Sequence, residues 1–368
     1  MGRAGGDAML LEFDTSLAAG TEVLVPLFNV DQKNVEPELT SIDVTIDWGD
    51  GTIGNYATGG WLSHTYAEEG VYEVSVTGEA GHFGAPRQSS PADTFPERAN
   101  LRRCTSYGEI GLTSLSLAFA LCPNLVEIPL RLPQGSTVQT MEQFVRKAAV
   151  WNQDITGWVP PMNLLPGLFV HAEAFNQPVA HFEVSGAADL SSIFARCSLF
   201  NQDVSGWDVS SVQSLFRAFF MCPAFNRDIG GWDTSKVKDF EGMFEYASAF
   251  NQDLSTWDVS SALTFRNMFG YASAFNQDLS AWPIPDGANL SGMLNNCGMS
   301  AENYSRTLIG WANTDFAHGR TLAPSLGAGG LQYDDVAYTS GQQFNDAVSA
   351  RAYLINEGWV IAGDSQVA

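Results

Sequence analysis

The chain has 368 residues, enough for two or three domains around a sizeable core. Acidic residues outnumber basic ones 41 to 18, a formal net charge of −23, and this excludes nucleic acid as a partner because phosphate binding is driven by Lys and Arg. Only 16% of residues are charged while 12% are aromatic, so the composition is that of a packed acidic protein and not of a disordered acidic tail.

Met1 to Asp7 holds one arginine among Gly and Ala, and Met9-Leu10-Leu11 runs directly into an acidic residue. No apolar stretch of signal-peptide length and no lipidation cysteine stands near the start, and no apolar run reaches the ~20 residues of a membrane span. The expectation is a chain that is neither membrane-inserted nor addressed for secretion by a leader. Residues 9–80 read as short strands. Val44-Thr-Ile46-Asp-Trp48 alternates, Gly49-Asp50-Gly51-Thr52 supplies a hairpin turn, and Val71-Tyr-Glu-Val74-Ser-Val76 alternates again. The run Asp47-Trp-Gly-Asp50-Gly51-Thr52, with His64-Thr65-Tyr66 and Gly70-Val71-Tyr72, resembles a PKD domain, which implies a small all-β immunoglobulin-like sandwich over 1–80. Such domains serve as spacers or interaction modules outside cells. Residues 81–100, rich in Gly, Pro and Ser, read as a linker.

From there the chain repeats itself. Phe119, Phe144, Phe169, Phe194, Phe219, Phe244, Phe269 and Leu294 follow at a constant 25 residues. A second column holds Phe175, Phe200, Phe225, Phe250 and Phe275, and a third Trp158, Phe182, Trp207, Trp232, Trp257 and Trp282. Leu254, Trp257 and Val259 sit at positions 1, 4 and 6, the spacing of the inward strand of a leucine-rich repeat. Ser260 and Ser261 are suitable helix N-caps, and Val212, Leu215, Phe216, Phe219, Cys222 and Phe225 recur at helical spacing. The fold class expected is therefore an α/β repeat solenoid over 101–299, each coil a short strand plus a helix of about three turns. The run Ala249-Phe-Asn-Gln-Asp-Leu-Ser-Thr-Trp-Asp-Val-Ser-Ser261, with Met268-Phe269 after it, resembles the bacterial surface protein repeat family, the BspA-like leucine-rich repeats. That resemblance implies cell-surface adhesion or host interaction. Residues 300–368, with helices expected at Tyr304–Asn313 and Ala350–Trp359, read as the cap that covers the last coil.

Four of the five cysteines, Cys122, Cys197, Cys222 and Cys297, alternate with Ala172, Ala247 and Ala272 in one column, which reads as a small buried slot. Cys104 stands apart. The tryptophans read as core filling, with sugar stacking as the competing reading. Aspartates form two columns, Asp154, Asp203, Asp228, Asp253 and Asp278, and Asp208, Asp233 and Asp258. Carboxylates stacked about 5 Å apart repel by about 3 kcal/mol at an effective dielectric of about 20, so they need solvent, backbone N–H groups or cations. Turn carboxylates bonded to backbone are favoured. A calcium ladder at Asp203, Asp228, Asp253 and Asp278 is the sharper alternative and the one cofactor considered. The asparagine column Asn176, Asn201, Asn226, Asn251 and Asn276 reads as loop backbone satisfied by stacked amides. Asp47 and Asp50 belong to the hairpin turn.

No metalloprotease, nucleophile-elbow, phosphate-loop or dinucleotide motif is present, and the histidines show no metal-ligand spacing, so no catalytic residue is assigned. The function expected is a non-enzymatic, extracellular-facing binding or adhesion protein. The missing leader points to a phage virion component (capsid decoration, tail fibre or tail-tip accessory) contacting a host cell-surface protein or glycan. A bacterial surface or secreted adhesin is one alternative and a scaffold on a capsid or tail lattice another. A glycan-active hydrolase with an auxiliary PKD-like domain is the alternative of a different class. No surface position is singled out for binding.

Overall fold

Alternating apolar residues in the N-terminal stretch give two antiparallel sheets. The computed structural model describes residues 8–29, 41–85, 98–132, 138–158, 160, 165–318, 323–338 and 342–367, and the chain forms two units, Met1–Gln177 and Pro178–Ala368. The first unit begins with β1 (Met9–Asp14), β2 (Glu22–Phe28), β3 (Ser41–Asp47), β4 (Ile53–Thr58), β5 (Gly60–Thr65), β6 (Val71–Glu79), β7 (His82–Phe83) and β8 (Leu101–Tyr107). One sheet runs β4-β3-β6-β1-β8 and the other β5-β2-β7. Val44 and Ile46 of β3, Val74 and Val76 of β6, and Val23 and Val25 of β2 are buried, as the period of two requires. Gly49 and Gly51 close the hairpin at φ of +81° and +90°, a backbone that glycine adopts without strain.

Two of these strands fall where the sequence reads as linker and first coil. The reason lies in hydrogen bonding. β8 pairs antiparallel with β1, while Arg103 on it also forms a parallel bridge with Glu127. β7 pairs with β2, and His82 bridges Ser114, which in turn bridges Thr140. The sandwich edges are thus continued by the first coils instead of being separated from them. The Gly/Pro/Ser-rich part of the expected linker, 86–97, lies outside the described residues.

The second unit shows the repeat most regularly. The helix expected in each coil is absent among the described residues before Ala301, and consecutive tight turns take its place. The N–H groups of Phe240, Gly242, Phe244 and Tyr246 donate to the next coil, to the carbonyls of Thr264, Arg266, Met268 and Gly270 at 2.8–3.0 Å. Those of Met243, Glu245 and Ala247 donate back three residues, to Phe240, Gly242 and Phe244 at 2.9–3.2 Å. Donors therefore alternate between coil and neighbour. Spacing explains why a helix fails. Phe219, Phe244 and Phe269 stack at 5.8 Å between ring centroids, and Trp207, Trp232, Trp257 and Trp282 at 6.3–6.5 Å on another column. Packed helices need axes roughly 8–10 Å apart, so coils held this closely on every side cannot contain them.

The expected inward strand also differs. Leu254, Trp257 and Val259 are buried, but Trp257 N–H bonds back to the Leu254 carbonyl at 3.1 Å, which makes a turn. The parallel bridges instead link Asp189, Ser214, Asp239, Thr264 and Asn289, within the segments read as helical. Two side-chain ladders lock successive coils. The indole Nε1 of Trp207, Trp232, Trp257 and Trp282 donates to Val179, Val204, Ile229 and Leu254 carbonyls at 2.9–3.1 Å. The Oδ1 of Asn201, Asn226 and Asn251 accepts the N–H of Asn226, Asn251 and Asn276 at 2.8–3.1 Å.

The cap is α1 (Ala301–His318), β9 (Ser325–Gly327), β10 (Gln332–Tyr333), α2 (Ala347–Asn356), β11 (Val360–Ala362) and β12 (Ser365–Gln366). α1 copies what a next coil would offer. Trp311 Nε1 donates to Leu279 O at 3.0 Å, Asn303 Nδ2 to Asn276 O at 2.8 Å, and Thr307 Oγ1 accepts from Leu279 N–H at 3.1 Å. Gly310 faces Ser280, whose backbone oxygen a Cβ there would strike, so the helix can seat only with glycine at that turn. Arg351 grips Asp364 through two bonds of 2.8 and 2.7 Å, and Tyr304 Oη donates to the same carboxylate at 2.9 Å.

Two substitutions test this packing. Phe244→Ala removes a ring stacked between two others and is expected to cost about 3–5 kcal/mol in urea unfolding. Asn251→Ala strips the acceptor from Asn276 N–H and the Gln277 amide, bonded at 2.8 and 2.7 Å, and is expected to cost about 1–3 kcal/mol. Equal, small effects from both would contradict the ladder.

Candidate functional site

The aspartate columns are turn carboxylates. Oδ1 of Asp203, Asp228, Asp253 and Asp278 accepts the N–H two residues on, from Ser205, Gly230, Ser255 and Ser280, at 2.8–2.9 Å. Asp154 does the same with Thr156 at 3.0 Å, and Asp208, Asp233 and Asp258 with Ser210, Ser235 and Ser260 at 2.9–3.1 Å. The serine partners hold Asp203, Asp208, Asp233, Asp253 and Asp258 below the ordinary carboxylate range. Among the described residues no three His, Cys, Asp or Glu side chains converge on a cation position. A third column of the same kind escaped the sequence reading. Asp189, Ser214, Asp239, Thr264 and Asn289 each accept the N–H two residues on, at 2.8–3.3 Å, at a corner where residue type varies too much for a column to be seen.

Cys122, Cys197, Cys222 and Cys297 are buried thiols, as the Ala/Cys exchange implies, and Cys104 is buried as well. Burial pushes the Cys222 thiol up to about 12 and the Cys297 thiol to about 11. Trp207, Trp232, Trp257 and Trp282 are at most 4% exposed, which removes them as a stacking platform for an external ligand. In the sandwich, Asp47 caps Gly49 N–H at 3.0 Å, and Asp50 accepts from Thr52 N–H at 2.9 Å and pairs with His64 Nε2 at 2.8 Å. The His64 bond, with help from Thr52, holds Asp50 down at about 2. His64 in turn stacks on the buried Trp48 with centroids 5.0 Å apart, so this pair braces the hairpin.

What the second unit presents outward is set by its backbone. Each coil places two residues four apart in left-handed conformation: Ser192 and Arg196, Arg217 and Met221, Gly242 and Tyr246, Asn267 and Tyr271, Gly292 and Asn296, with φ of +52° to +69°. Left-handed φ costs a residue with a Cβ about 1–2 kcal/mol. Glycine relieves it twice at the first position and never at the second. The second position carries two exposed aromatic side chains, Tyr246 at 41% and Tyr271 at 45%, with rings parallel to 2° and centroids 4.6 Å apart. Phe220 meets Tyr246 edge-on at 6.3 Å, Arg217 lies 5.0 Å from the rings of Phe216 and Phe220, and Arg196 lies 5.4 Å from Phe220. Arg266 bonds Glu241 at 3.1 Å, and partial burial raises the Glu245 carboxyl against the opposing pull of Arg217 and Arg266. Beyond Tyr271, whose N–H donates to Asn295 O at 2.8 Å, a groove of about 440 Å³ is lined by Ser291, Gly292, Asn295, Asn296, Gly327 and Gly329.

This face is the candidate site. No motif nominates it; the trace it leaves in the sequence is a column, Arg196, Met221, Tyr246, Tyr271 and Asn296, that varies between repeats while its neighbours hold still. The residue types, large aromatic rings and arginines on a fixed backbone, are those that suit recognition. Among the described residues no helix is long and apolar enough to cross a membrane.

Comparison with known families gives two matches. The family described as Mycoplasma protein of unknown function, DUF285, matches over residues 113–221 and 189–307, together more than half the chain, and the PKD domain matches over residues 11–85. No curated protein and no solved structure matches the chain.

Two measurements check the titrating groups. At pH 8 a thiol reagent should label none of the five cysteines in the folded chain and all five in guanidinium. Asp50, whose ordinary value is 3.8 and whose folded value is about 2, stabilises above about pH 4, and that contribution is lost as pH falls through about 2. Asp50→Asn should therefore melt lower than the parent at pH 7, with the gap closing between about pH 4 and 2.

Proposed function

The chain belongs to the family described as Mycoplasma protein of unknown function, DUF285, with a PKD domain ahead of the repeat, and on that footing we propose that it is a non-enzymatic binding protein facing the outside of a cell or a phage-like particle. The observation that carries this reading is the face around Tyr246 and Tyr271. Large rings are held out to solvent there on a left-handed backbone that glycine would adopt without strain. The turn-bonded aspartates support a binding role over a hydrolytic one, because one oxygen of each of Asp203, Asp228, Asp253 and Asp278 is engaged by a backbone N–H group. The resemblance of the Ala249–Ser261 run to bacterial surface protein repeats supports the outward location.

The partner in this reading is a cell-surface molecule contacted by the exposed face of the stacked turns. The chain's high negative charge, −23, disfavours attachment to anionic surfaces unless cations bridge. A density-gradient fractionation of the source culture, followed by mass spectrometry, tests the location. Constant stoichiometry with phage-like particles is the result expected of a virion component, and recovery with envelopes or medium that of an adhesin. Recovery only with the cytosol, in a culture that releases no particles, would overturn the outward-facing reading.

A further inference from the structure

Resting on that reading, we propose that Tyr246 and Tyr271, with the amide-lined groove that follows them, form a binding subsite for an uncharged glycan. The ring pair makes one contact between two coils, at 4.6 Å, and it is a minor one. Coil-to-coil cohesion is carried inward by Phe219, Phe244 and Phe269 at 5.8 Å and by the indole and asparagine ladders. Stacked on each other, the tyrosines still leave 41% and 45% of their surface exposed, and each sits at a left-handed φ of +62° or +60°. A large ring left this exposed at a backbone cost is accounted for by what touches it from outside.

The chemistry around the rings narrows the ligand. A pyranose offers one face of C–H groups, which suits the electron-rich face of an aromatic ring, and a rim of hydroxyls that both donate and accept. The rim partners are there. Asn296 follows Tyr271 in the same column, and Asn295 is fixed by accepting Gly329 N–H at 2.8 Å through Oδ1. Glu245 supplies acceptors next to Tyr246, and Arg266 supplies donors on the following coil. Stacking alone would suit a nucleobase equally, but a chain of net charge −23 repels a polyphosphate. A protein ligand would look for an apolar pocket to seat an anchor side chain. The groove gives it glycine backbone and amides instead, with Leu326 beneath them fully buried. Its volume, about 440 Å³, lies within the ~300–1,000 Å³ usual for small-ligand sites.

The test uses the full chain, Tyr246→Ala/Tyr271→Ala and Tyr246→Phe/Tyr271→Phe. Probes are native gels containing glucomannan, laminarin or dextran, and isolated bacterial envelopes with and without periodate, which cleaves vicinal diols. Retardation by at least one neutral polysaccharide, or periodate-sensitive envelope binding, is expected for the parent. The alanine pair should lose about tenfold or more in affinity. The phenylalanine pair, which keeps the ring faces, should stay within about threefold, and both should melt close to the parent. Binding that survives periodate and is abolished by protease would overturn the glycan subsite while leaving the outward-facing reading intact. Undiminished binding by the alanine pair would overturn the site itself. Failure of the parent on every gel and every envelope would overturn the subsite, and the particle gradient would then decide separately on the binding-protein reading.

Discussion

The distance from one coil to the next, near 6 Å between stacked rings, is the constraint on which the repeat depends. At that distance the backbone N–H groups of the aromatic turns, as over Phe240–Ala247, find a carbonyl either three residues back or on the adjoining coil, and the two choices alternate. The alternation forces two left-handed residues per coil, and those residues in turn determine what faces solvent. Side chains complete the accounting. Asparagine oxygens take the N–H groups of the next coil and tryptophan indoles donate to carbonyls of the previous one, so few polar groups in the stack are left without a partner.

Much of this was legible in the sequence, and the misreading has a clear origin. The 25-residue columns mark which residues point inward, and the Phe, Trp and Ala/Cys columns are buried as expected. Phe265, Met268, Phe269 and Ala272 fall at i, i+3, i+4 and i+7, which is the pattern of a helix facing a core. Successive turns that bond back three residues bury side chains at nearly the same spacing. Periodicity therefore cannot separate the two, whereas the short stacking distance on both columns, 5.8 Å and 6.3–6.5 Å, can. The outward face was illegible for a different reason. A column whose identity changes from coil to coil has no repeat signature, and the property it shares, a left-handed φ, belongs to the backbone.

In the first unit the sequence boundary between sandwich and repeat dissolves. β8 is both the edge strand of a five-stranded sheet and the bridge partner of Glu127, and β7 stands in the same relation to Ser114. A sheet edge left bare invites pairing with another chain, and a coil end left bare exposes apolar rings. Each covers the other here, with Phe83 set edge-on against Phe119 at 5.6 Å. The PKD domain is thus a lid for the repeat as much as a module beside it.

The ladders in the second unit also have a direction. Asparagine oxygens accept only from the coil after, indoles donate only to the coil before, and α1 ends the series by presenting Asn303, Thr307 and Trp311 as a further coil would. Because each junction makes the same bonds, a single 25-residue unit could be duplicated or lost in one genetic event without inventing a new interface. Each such event would change the stack by about 5 Å and add or remove one outward left-handed position. Growth in length and renewal of the recognition surface are, in this architecture, the same mutation.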